Sequence, residues 1–296
     1  MKILLKFILT LSILFMVSTL TSCVSSGLGL LNGMAKFGHY KSFKDIQYAP
    51  DPLNKLDIYL PKTKKYKDTV QKISATIIFF YGGCWGYCSN RDKDNYLFIA
   101  ETLTKQGYAV VIPDYRSFPD VFFDEIIEDA KLATLWTIKH IQEYGGSSEN
   151  IFIMGHSAGA HIGAMLVDDE NILAEELSNI NGFIGLAGPY DFYPFNADYM
   201  YELFSSEDYY YNSQPINFVN GNEPPQLILH GSNDTRVHPN NAPRITEKLK
   251  KNNIKHTTVL FENMRHTKMV VSLSKPLRRR SEVLKNIVSF IGDNID

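Results

Sequence analysis

The sequence predicts an α/β fold with a mostly parallel central sheet and helices on both faces. Short apolar runs alternate with longer segments of helical periodicity along most of the chain. Two of the runs, 75–80 and 108–112, are continuously apolar, which is typical of strands buried on both faces of a parallel sheet. Strands that alternate with helices indicate crossover connections and therefore parallel pairing.

The strands are predicted from alternation or from continuous apolar character. Residues 56–60 alternate and end at Pro61, which predicts an early strand. The runs 75–80 and 108–112 predict buried strands, and the second one stops at Pro113. The remaining predicted strands are 151–154, 183–187, 227–230 and 257–261.

The helices are predicted from apolar residues at helical spacing and from glycine at their ends. Residues 96–106 have this spacing and stop at Gly107, and the long amphipathic stretch 123–144 is closed by a Gly-Gly pair. A helix that starts near Ala160 carries small residues, which let it lie close on the sheet. The remaining predicted helices are 242–250 and 281–291.

One segment interrupts this alternation. Residues 191–220 contain ten aromatic residues, including three consecutive tyrosines at 209–211. The segment is too polar to be core alone, and loops of this length are usually functional or disordered. We predict an inserted flap that borders a pocket; the alternative is a surface excursion packed on itself.

The N-terminus predicts a lipoprotein signal peptide over residues 1–22. A positively charged start is followed by the almost wholly apolar stretch 7–20 and by Leu-Thr-Ser before Cys23. This ending resembles the bacterial lipobox, in which the cysteine is lipidated and becomes the first residue of the mature chain. An ordinary secretory signal and an uncleaved anchor helix are the alternatives, and the apolar run is short for a membrane span.

The rest of the chain predicts a short tether and one domain. Residues 23–41 are small and Gly-rich without a clear period, and we interpret them as the tether; residues 42–296 fit one α/β domain. We therefore expect a protein of the bacterial cell envelope, lipid-anchored at the periplasmic or extracellular face of a membrane. Which membrane holds it, and its oligomeric state, are left open.

The net charge and the cysteines bear on three properties: nucleic-acid binding, disulfide formation and metal binding. The formal net charge of −2 gives no indication of nucleic-acid binding. Cys84 and Cys88 are four residues apart, and an oxidising compartment permits a disulfide between them without requiring one. No matching ligand pair lies near these cysteines in the sequence, so a metal site is not expected.

The pentapeptide Gly155–Gly159 is the most informative motif. It places Ser157 between a predicted strand and a predicted helix, and this context resembles the nucleophile elbow of α/β-hydrolases. Such a tight turn needs glycine on both sides of the serine. It also puts the N–H of Ala158 at a helix N-terminus, where it can donate to a developing oxyanion. The alternative is an ordinary Gly/Ser loop.

A serine nucleophile needs a base and an orienting carboxylate, which in α/β-hydrolases follow in the order acid, then histidine. Asp234, on the loop after strand 227–230, is the predicted acid, with a turn or cap aspartate as the alternative. His266, on the loop after the last strand, is the predicted base, and His238 is its rival.

The ring of His156 is expected to point away from Ser157 Oγ, His161 to pack beneath the elbow and His230 to brace the acid loop. His256 precedes the last strand, at the wrong end of the sheet, and is interpreted as a surface histidine.

A second oxyanion donor is expected on the loop after strand 75–80. Residues 81–85 look like the family motif His-Gly-Gly-x-Trp, with Tyr81 in place of the histidine. The backbone N–H groups of Gly83 and Cys84 are the predicted donors, and they do not depend on the replaced side chain. A plain Gly-Gly turn is the alternative.

From about residue 75 to residue 266 the chain resembles the α/β-hydrolase carboxylesterases that include feruloyl-esterase-like proteins, kynurenine formamidases and isoprenylcysteine methylesterases. The blocks 112–119, 143–146 and 155–161 are most similar to the methylesterase-like members. In such members the Asp114-Tyr115-Arg116 loop lies beside the active site, and we interpret it as scaffold. The flap at 191–220 is the least family-like part, so the substrate does not carry over.

The resemblance implies a serine carboxylesterase that cleaves small carboxylic esters through an acyl-enzyme, with Ser157, Asp234 and His266 as the triad. This mechanism requires no cofactor or metal. An amidase or peptidase on the same fold is one alternative, because the triad does not discriminate between these substrates. A catalytically inactive binding lipoprotein is the other.

Overall fold

The computed structural model describes residues 27–62, 65–66, 69–70, 73–88, 92–205 and 207–295. The predicted signal peptide, residues 1–22, and the predicted lipidation site Cys23 lie outside the described residues. Within the described ranges, no helix has both the length and the apolar character needed to cross a bilayer.

The described residues contain ten strands: β1 (Tyr40–Gln47), β2 (Lys55–Pro61), β3 (Lys65–Tyr66), β4 (Thr69–Val70), β5 (Thr76–Phe80), β6 (Ala109–Pro113), β7 (Ile151–His156), β8 (Ile180–Leu186), β9 (Gln226–Gly231) and β10 (His256–Phe261). Eight of them form one sheet in the order β1-β2-β6-β5-β7-β8-β9-β10. The β1–β2 and β2–β6 pairs are antiparallel, and every other neighbouring pair in the sheet is parallel. The predicted, mostly parallel sheet is therefore confirmed, and β3 and β4 form a separate antiparallel pair.

The helices of the described residues are α1 (27–35), α2 (Leu97–Lys105), α3 (Phe123–Tyr144), α4 (Ala158–Asp168), α5 (Glu170–Leu173), α6 (Asp198–Leu203), α7 (Glu207–Asn212), α8 (Asn241–Lys251), α9 (His266–Val271) and α10 (Glu282–Gly292). Helices α2 to α8 lie in the connections between the parallel strands, α1 precedes β1, and α9 and α10 follow β10. Every residue of β5, β6, β7 and β9 is buried, which explains their largely apolar sequences.

Two adjacent residues of β7 show that the helices cover both faces of the sheet. The Phe152 ring packs against Phe290 of α10, with ring centroids 6.2 Å apart. Ile153 faces α4, because a Cβ atom on Gly163 would come within 3.0 Å of the Ile153 Cγ2 atom. Successive side chains of a strand point to opposite faces. α4 and α10 therefore lie on opposite sides of the sheet.

Part of the segment interpreted as a tether, residues 23–41, is folded against the domain. In α1 the Leu28 side chain is buried, and the Phe98 N–H donates to Asn32 Oδ1 at 3.2 Å. β1 begins at Tyr40 and forms an edge of the sheet. Neither element has a strong sequence signal, because α1 is rich in glycine and β1 is largely exposed and polar.

Candidate active site

Ser157 occupies a sharp turn between β7 and α4, with φ 58° and ψ −124°. Positive φ is strained for a residue with a side chain, and such strain concentrates at functional sites. The flanking glycines are dictated by packing: a Cβ atom on Gly155 would come within 2.1 Å of the Gly159 carbonyl oxygen, and one on Gly159 would come within 2.1 Å of the Phe80 carbonyl oxygen. No larger residue fits at either position.

The three predicted side chains meet at the carboxyl ends of the strands. The Ser157 Oγ lies 2.9 Å from His266 Nε2, and His266 Nδ1 lies 2.7 Å from Asp234 Oδ2. Ser157 follows β7, Asp234 follows β9, and His266 is the first residue of α9 after β10. The structure thus joins in one hydrogen-bonded series three residues that are far apart in the sequence, while their catalytic roles stay a prediction.

Asp234 is held as a carboxylate by its surroundings. Its Oδ1 accepts hydrogen bonds from the N–H groups of Arg236 at 2.9 Å and Val237 at 3.0 Å, and His230 Nε2 lies 3.4 Å from its Oδ2. Burial alone would raise the pKa of Asp234, but the hydrogen bonds from His230 and His266 outweigh burial and lower it. A charged Asp234 favours the His266 tautomer with the proton on Nδ1 and a free Nε2 lone pair toward Ser157.

The remaining histidines lie in other environments. His238, the rival base, is exposed on the cleft wall, and its Nδ1 accepts the Asn240 N–H at 3.2 Å. The Nε2 of His230 donates to the Val237 carbonyl at 3.1 Å, which braces the acid loop. His156 packs against the His266 ring, with centroids 4.8 Å apart. His256 begins β10, at the opposite end of that strand from His266.

The predicted oxyanion donors face the same cleft as Ser157. Gly83, Cys84 and Ala158 all line it. Ala158 is the first residue of α4, so its N–H has no partner within the helix. The loop after β5 runs directly against the serine, because a Cβ atom on Gly82 would come within 2.8 Å of the Ser157 Cβ. These positions suit the predicted donors, whose roles stay a prediction.

The oxyanion loop, which we define as residues 82–86, has positive φ at four consecutive residues and is held by a disulfide. Its φ values are 154° at Gly83, 55° at Cys84, 56° at Trp85 and 112° at Gly86. Such a run of positive φ is costly for the two non-glycine residues. A disulfide joins Cys84 to Cys88, with Cα atoms 5.3 Å apart, so the pairing that the sequence left open is formed here.

Tyr81, which stands where the family motif has histidine, connects the oxyanion loop to the loop that follows β6. Its O–H donates to Asp114 Oδ1 at 2.9 Å, and the Tyr115 O–H donates to the Tyr81 carbonyl at 2.7 Å. The Tyr81 ring stacks between Tyr96 and Tyr115, with centroids 5.4 and 4.8 Å away. Burial raises the pKa of Tyr81 well above its ordinary value, so the phenol stays protonated and can donate.

The insertion at 191–220 forms one wall of a cleft of about 1290 Å³. Phe192, Tyr193 and Tyr199 line this wall, and Tyr199 stacks on Tyr87 with ring centroids 4.0 Å apart. Other aromatic residues of the insertion pack inward: Phe204 contacts Trp85, with centroids 5.3 Å apart. The insertion is therefore both a cleft wall and part of an aromatic cluster.

His161 connects the oxyanion loop to the insertion. Its Nδ1 accepts the Trp85 Nε1–H at 3.1 Å, and its Nε2–H donates to the Ser213 carbonyl at 2.7 Å. Complete burial lowers the pKa of His161 to about 4, so the ring is neutral near pH 7 and can accept and donate at once. The sequence predicted that this histidine packs beneath the elbow, but it did not predict these two hydrogen bonds, which we call the His161 bridge.

Several cleft residues were not found from the sequence. Arg236 and Arg244 line the cleft, and Arg244 Nη1 lies 3.1 Å from Asp191 Oδ2. Asn241 fixes the start of the insertion, since its Oδ1 accepts the N–H groups of Tyr190 and Asp191 at 2.7 and 2.9 Å. No motif marks these positions. In the part of the chain that the structure describes, no cluster of three His, Cys, Asp or Glu residues could hold a metal ion.

Comparison with known proteins gives matches along most of the chain. A protein-family model described as BD-FAE matches residues 56–249. A probable isoprenylcysteine alpha-carbonyl methylesterase of Arabidopsis thaliana is 27% identical over 305 residues, covering 90% of this chain and 60% of the relative. The kynurenine formamidase of Danio rerio is 27% identical over 180 residues, covering 60% of this chain and 57% of the relative. The chain thus spans about 60% of the length of the first of these relatives.

A solved structure supports the same fold. Esterase B from Lactobacillus rhamnosis, inhibited by a tributyrin phosphonate, superposes with a TM-score of 0.74 over 94% of both chains, at 18% identity. The sheet order and the strand–turn–helix at Ser157 agree with this likeness. The fold is that of the α/β-hydrolases.

The buried His161 predicts an acid-sensitive contribution to stability. Its pKa is about 4 in the folded chain, against about 6.5 when unfolded, so between these pH values only the unfolded state binds the proton. Stability therefore falls as the pH falls through this window, by about 3 kcal/mol in total. Urea unfolding near pH 7 and near pH 4.5 should show a smaller loss in His161→Gln than in the wild type.

The matched control is His256→Gln, which changes a histidine outside the cleft and should keep the wild-type loss. An unchanged pH dependence in His161→Gln would contradict the assignment.

Proposed function

The chain belongs to the BD-FAE family, and from this membership we propose that it is a serine carboxylesterase with Ser157 as nucleophile. The observation that carries the proposal is the series of hydrogen bonds from Ser157 through His266 to Asp234, at 2.9 and 2.7 Å, in which Ser157 and His266 line one cleft and Asp234 is buried behind His266. An adjacent base and an orienting acid are what a weak serine nucleophile requires.

The first half of the proposed reaction is the acylation of Ser157. His266 Nε2 takes the proton from Ser157 Oγ as the oxygen forms a bond to the ester carbonyl carbon. Asp234 stabilises the resulting imidazolium, while the N–H groups of Ala158, Gly83 and Cys84 donate to the oxyanion. The tetrahedral intermediate then breaks its bond to the alcohol oxygen, which receives the proton from His266. An acyl-enzyme remains, and the alcohol leaves.

Deacylation repeats the same steps with water. His266 removes a proton from water as the water oxygen bonds to the acyl carbon, and the same three N–H groups stabilise the second oxyanion. The bond to Ser157 Oγ breaks, and the serine regains its proton from His266. A carboxylic acid is released. The aromatic wall formed by Phe192, Tyr193 and Tyr199 favours an aryl ester or an acyl chain of medium length.

A second candidate function is amide hydrolysis. The relative from Danio rerio is named a formamidase, and the same triad geometry would serve an amide. An amide differs from an ester in its leaving group, which His266 must protonate before it departs. Turnover of an ester and of its matching amide, measured on the same preparation, separates the two activities.

The triad proposal predicts how a fluorophosphonate probe and three variants behave. The wild type should form a covalent adduct at Ser157, and Ser157→Ala should not. His266→Ala should lower kcat/KM for a soluble aryl ester by about 10³-fold or more, because the base is lost. His238→Ala, the matched control in the same cleft, should stay within about threefold of the wild type.

Mass spectrometry of the labelled peptide and initial-rate kinetics check these outcomes. A folded wild type that fails to react would support the alternative of an inactive binding lipoprotein. A collapse in His238→Ala with little change in His266→Ala would move the base to His238.

The disulfide in the oxyanion loop predicts a redox-sensitive turnover. Reduction frees Cys84 from Cys88, so the positive-φ backbone relaxes and the Cys84 N–H donates less well. Loss of one oxyanion donor costs about 10²–10³-fold in turnover, and we expect a partial loss of about tenfold in kcat with KM nearly unchanged.

Kinetics of the wild type with and without dithiothreitol measure this effect. The double variant Cys84→Ala/Cys88→Ala is the control, since it should be slow in both conditions and insensitive to the reductant. Equal kcat for the reduced and oxidised wild type would contradict the prediction.

We further propose that Cys23 is acylated and that the protein is anchored to a membrane of the bacterial envelope. The support is the charged, apolar and small-residue order of residues 1–22 before this cysteine. Metabolic labelling with an alkyne fatty acid should mark the wild-type protein and leave Cys23→Ala unmarked. Labelling of Cys23→Ala at the wild-type level would contradict the proposal, because the lipid would then be attached elsewhere.

A further inference from the structure

Helix α1 and the turn after it carry two sets of residues, of which one packs against the domain. Leu28, Asn32 and Ala35, spaced by four and three residues, are buried against the fold. Leu30, Met34 and Phe37 have the same spacing, and these residues are 68%, 37% and 82% exposed, respectively. Leu30 and Met34 are each offset by two residues from a member of the buried set, about 200° around the helix, so they point away from the domain; Phe37 lies in the turn that follows α1. We call Leu30, Met34 and Phe37 the outer face.

The sequence before α1 indicates what covers the outer face. Cys23, the proposed acylation site, precedes Leu28 by five residues, and a chain of five residues spans at most about 18 Å. Acyl chains on Cys23 would therefore hold α1 close to the lipid surface. Lys36 lies next to the outer face and is exposed, which suits contact with anionic headgroups. A lipid bilayer is the partner that fits this position and this chemistry.

The opposite side of the same helix reaches the candidate active site. Leu28 lines the cleft that contains Ser157. A helix is about 10 Å across, so a bilayer on the outer face would lie about one helix diameter from the cleft. Tyr87 and Tyr193 also line the cleft and are 59% and 47% exposed. Tyrosine, with an apolar ring and a polar tip, is favoured at membrane interfaces.

We propose that the outer face of α1 docks on the bilayer and that the cleft receives amphiphilic carboxylic esters from it. This inference rests on the proposed esterase function for its substrate class, whereas the docking itself does not depend on catalysis. The apolar part of such an ester stays in the lipid while its carbonyl reaches Ser157. A second copy of the chain, or a segment of the chain itself, is the competing occupant of the outer face.

Fluorescence quenching tests the docking. The full acylated chain is purified from membranes and reconstituted in phosphatidylcholine vesicles with brominated acyl chains. The added emission of Phe37→Trp, after subtraction of the wild-type signal, should be strongly quenched. Leu260→Trp, an equally simple change at a residue that is 51% exposed on β10, is the matched control and should keep its emission.

Quenching of Phe37→Trp no greater than that of Leu260→Trp overturns the docking. A blue-shifted emission without quenching also overturns it, because protein rather than lipid would then cover the outer face.

Kinetics test the substrate class. The triple variant Leu30→Ser/Met34→Ser/Phe37→Ser should lower turnover of a long-chain ester embedded in vesicles by about tenfold, because interfacial binding scales with buried apolar area. Turnover of a short water-soluble ester should stay within about twofold, which also shows that the variant folds. The double variant Leu260→Ser/Leu277→Ser should behave like the wild type on both substrates.

The two proposals fail in different ways. If the wild type cleaves the soluble ester but the triple variant loses nothing on the embedded one, the delivery of substrate from the bilayer is wrong. If the wild type cleaves neither ester, the esterase function is wrong, and the quenching measurement still decides whether the outer face meets lipid.

Discussion

Three backbone segments meet beneath Ser157 at distances that only glycine permits, and the geometry of the site depends on this contact. The end of β5 touches Gly159, and the following loop touches Ser157 through Gly82. Because backbone atoms are in direct contact, the loop cannot shift without moving the elbow. The placement of Ser157 against the start of the loop that carries the predicted oxyanion donors is therefore set by main-chain packing. Donors that are held in place before the reaction need no rearrangement during it, which suits the predicted role.

A charged network extends this constraint to the edge of the sheet. Lys93, which is buried, binds Asp114 at 3.1 Å and Asp45 at 2.8 Å, and Asp114 in turn accepts the Tyr81 hydroxyl. Lys44 of β1 pairs with the buried Asp57 of β2. Breaking one partner of a buried pair leaves an uncompensated charge, which is strongly unfavourable. The antiparallel strands β1 and β2 thus support the loop after β5, although neither strand reaches the cleft.

The parts that were predictable from the sequence are those with local signals. The buried strands and the elbow glycines each rest on a short pattern with a local cause, and Asp234 and His266 were selected from the residue order of α/β-hydrolases. The His161 bridge and the cleft wall were not predictable, because they depend on contacts between distant segments such as Ser213 and Trp85. The fold of residues 27–47 was also missed, since its glycines and polar residues acquire partners only in the tertiary structure.

The His161 bridge has a consequence for how the cleft wall can vary. The insertion forms a cleft wall, yet its Ser213 carbonyl holds the histidine that fixes Trp85 in the oxyanion loop. A change in the insertion that moved Ser213 would leave a fully buried polar ring short of a partner, which is costly. The insertion is therefore free to vary where Tyr193 and Tyr199 face the cleft, and is constrained where it meets His161. The cleft wall and the support of Trp85 are carried by different residues of one segment, so the first can change while the second is kept.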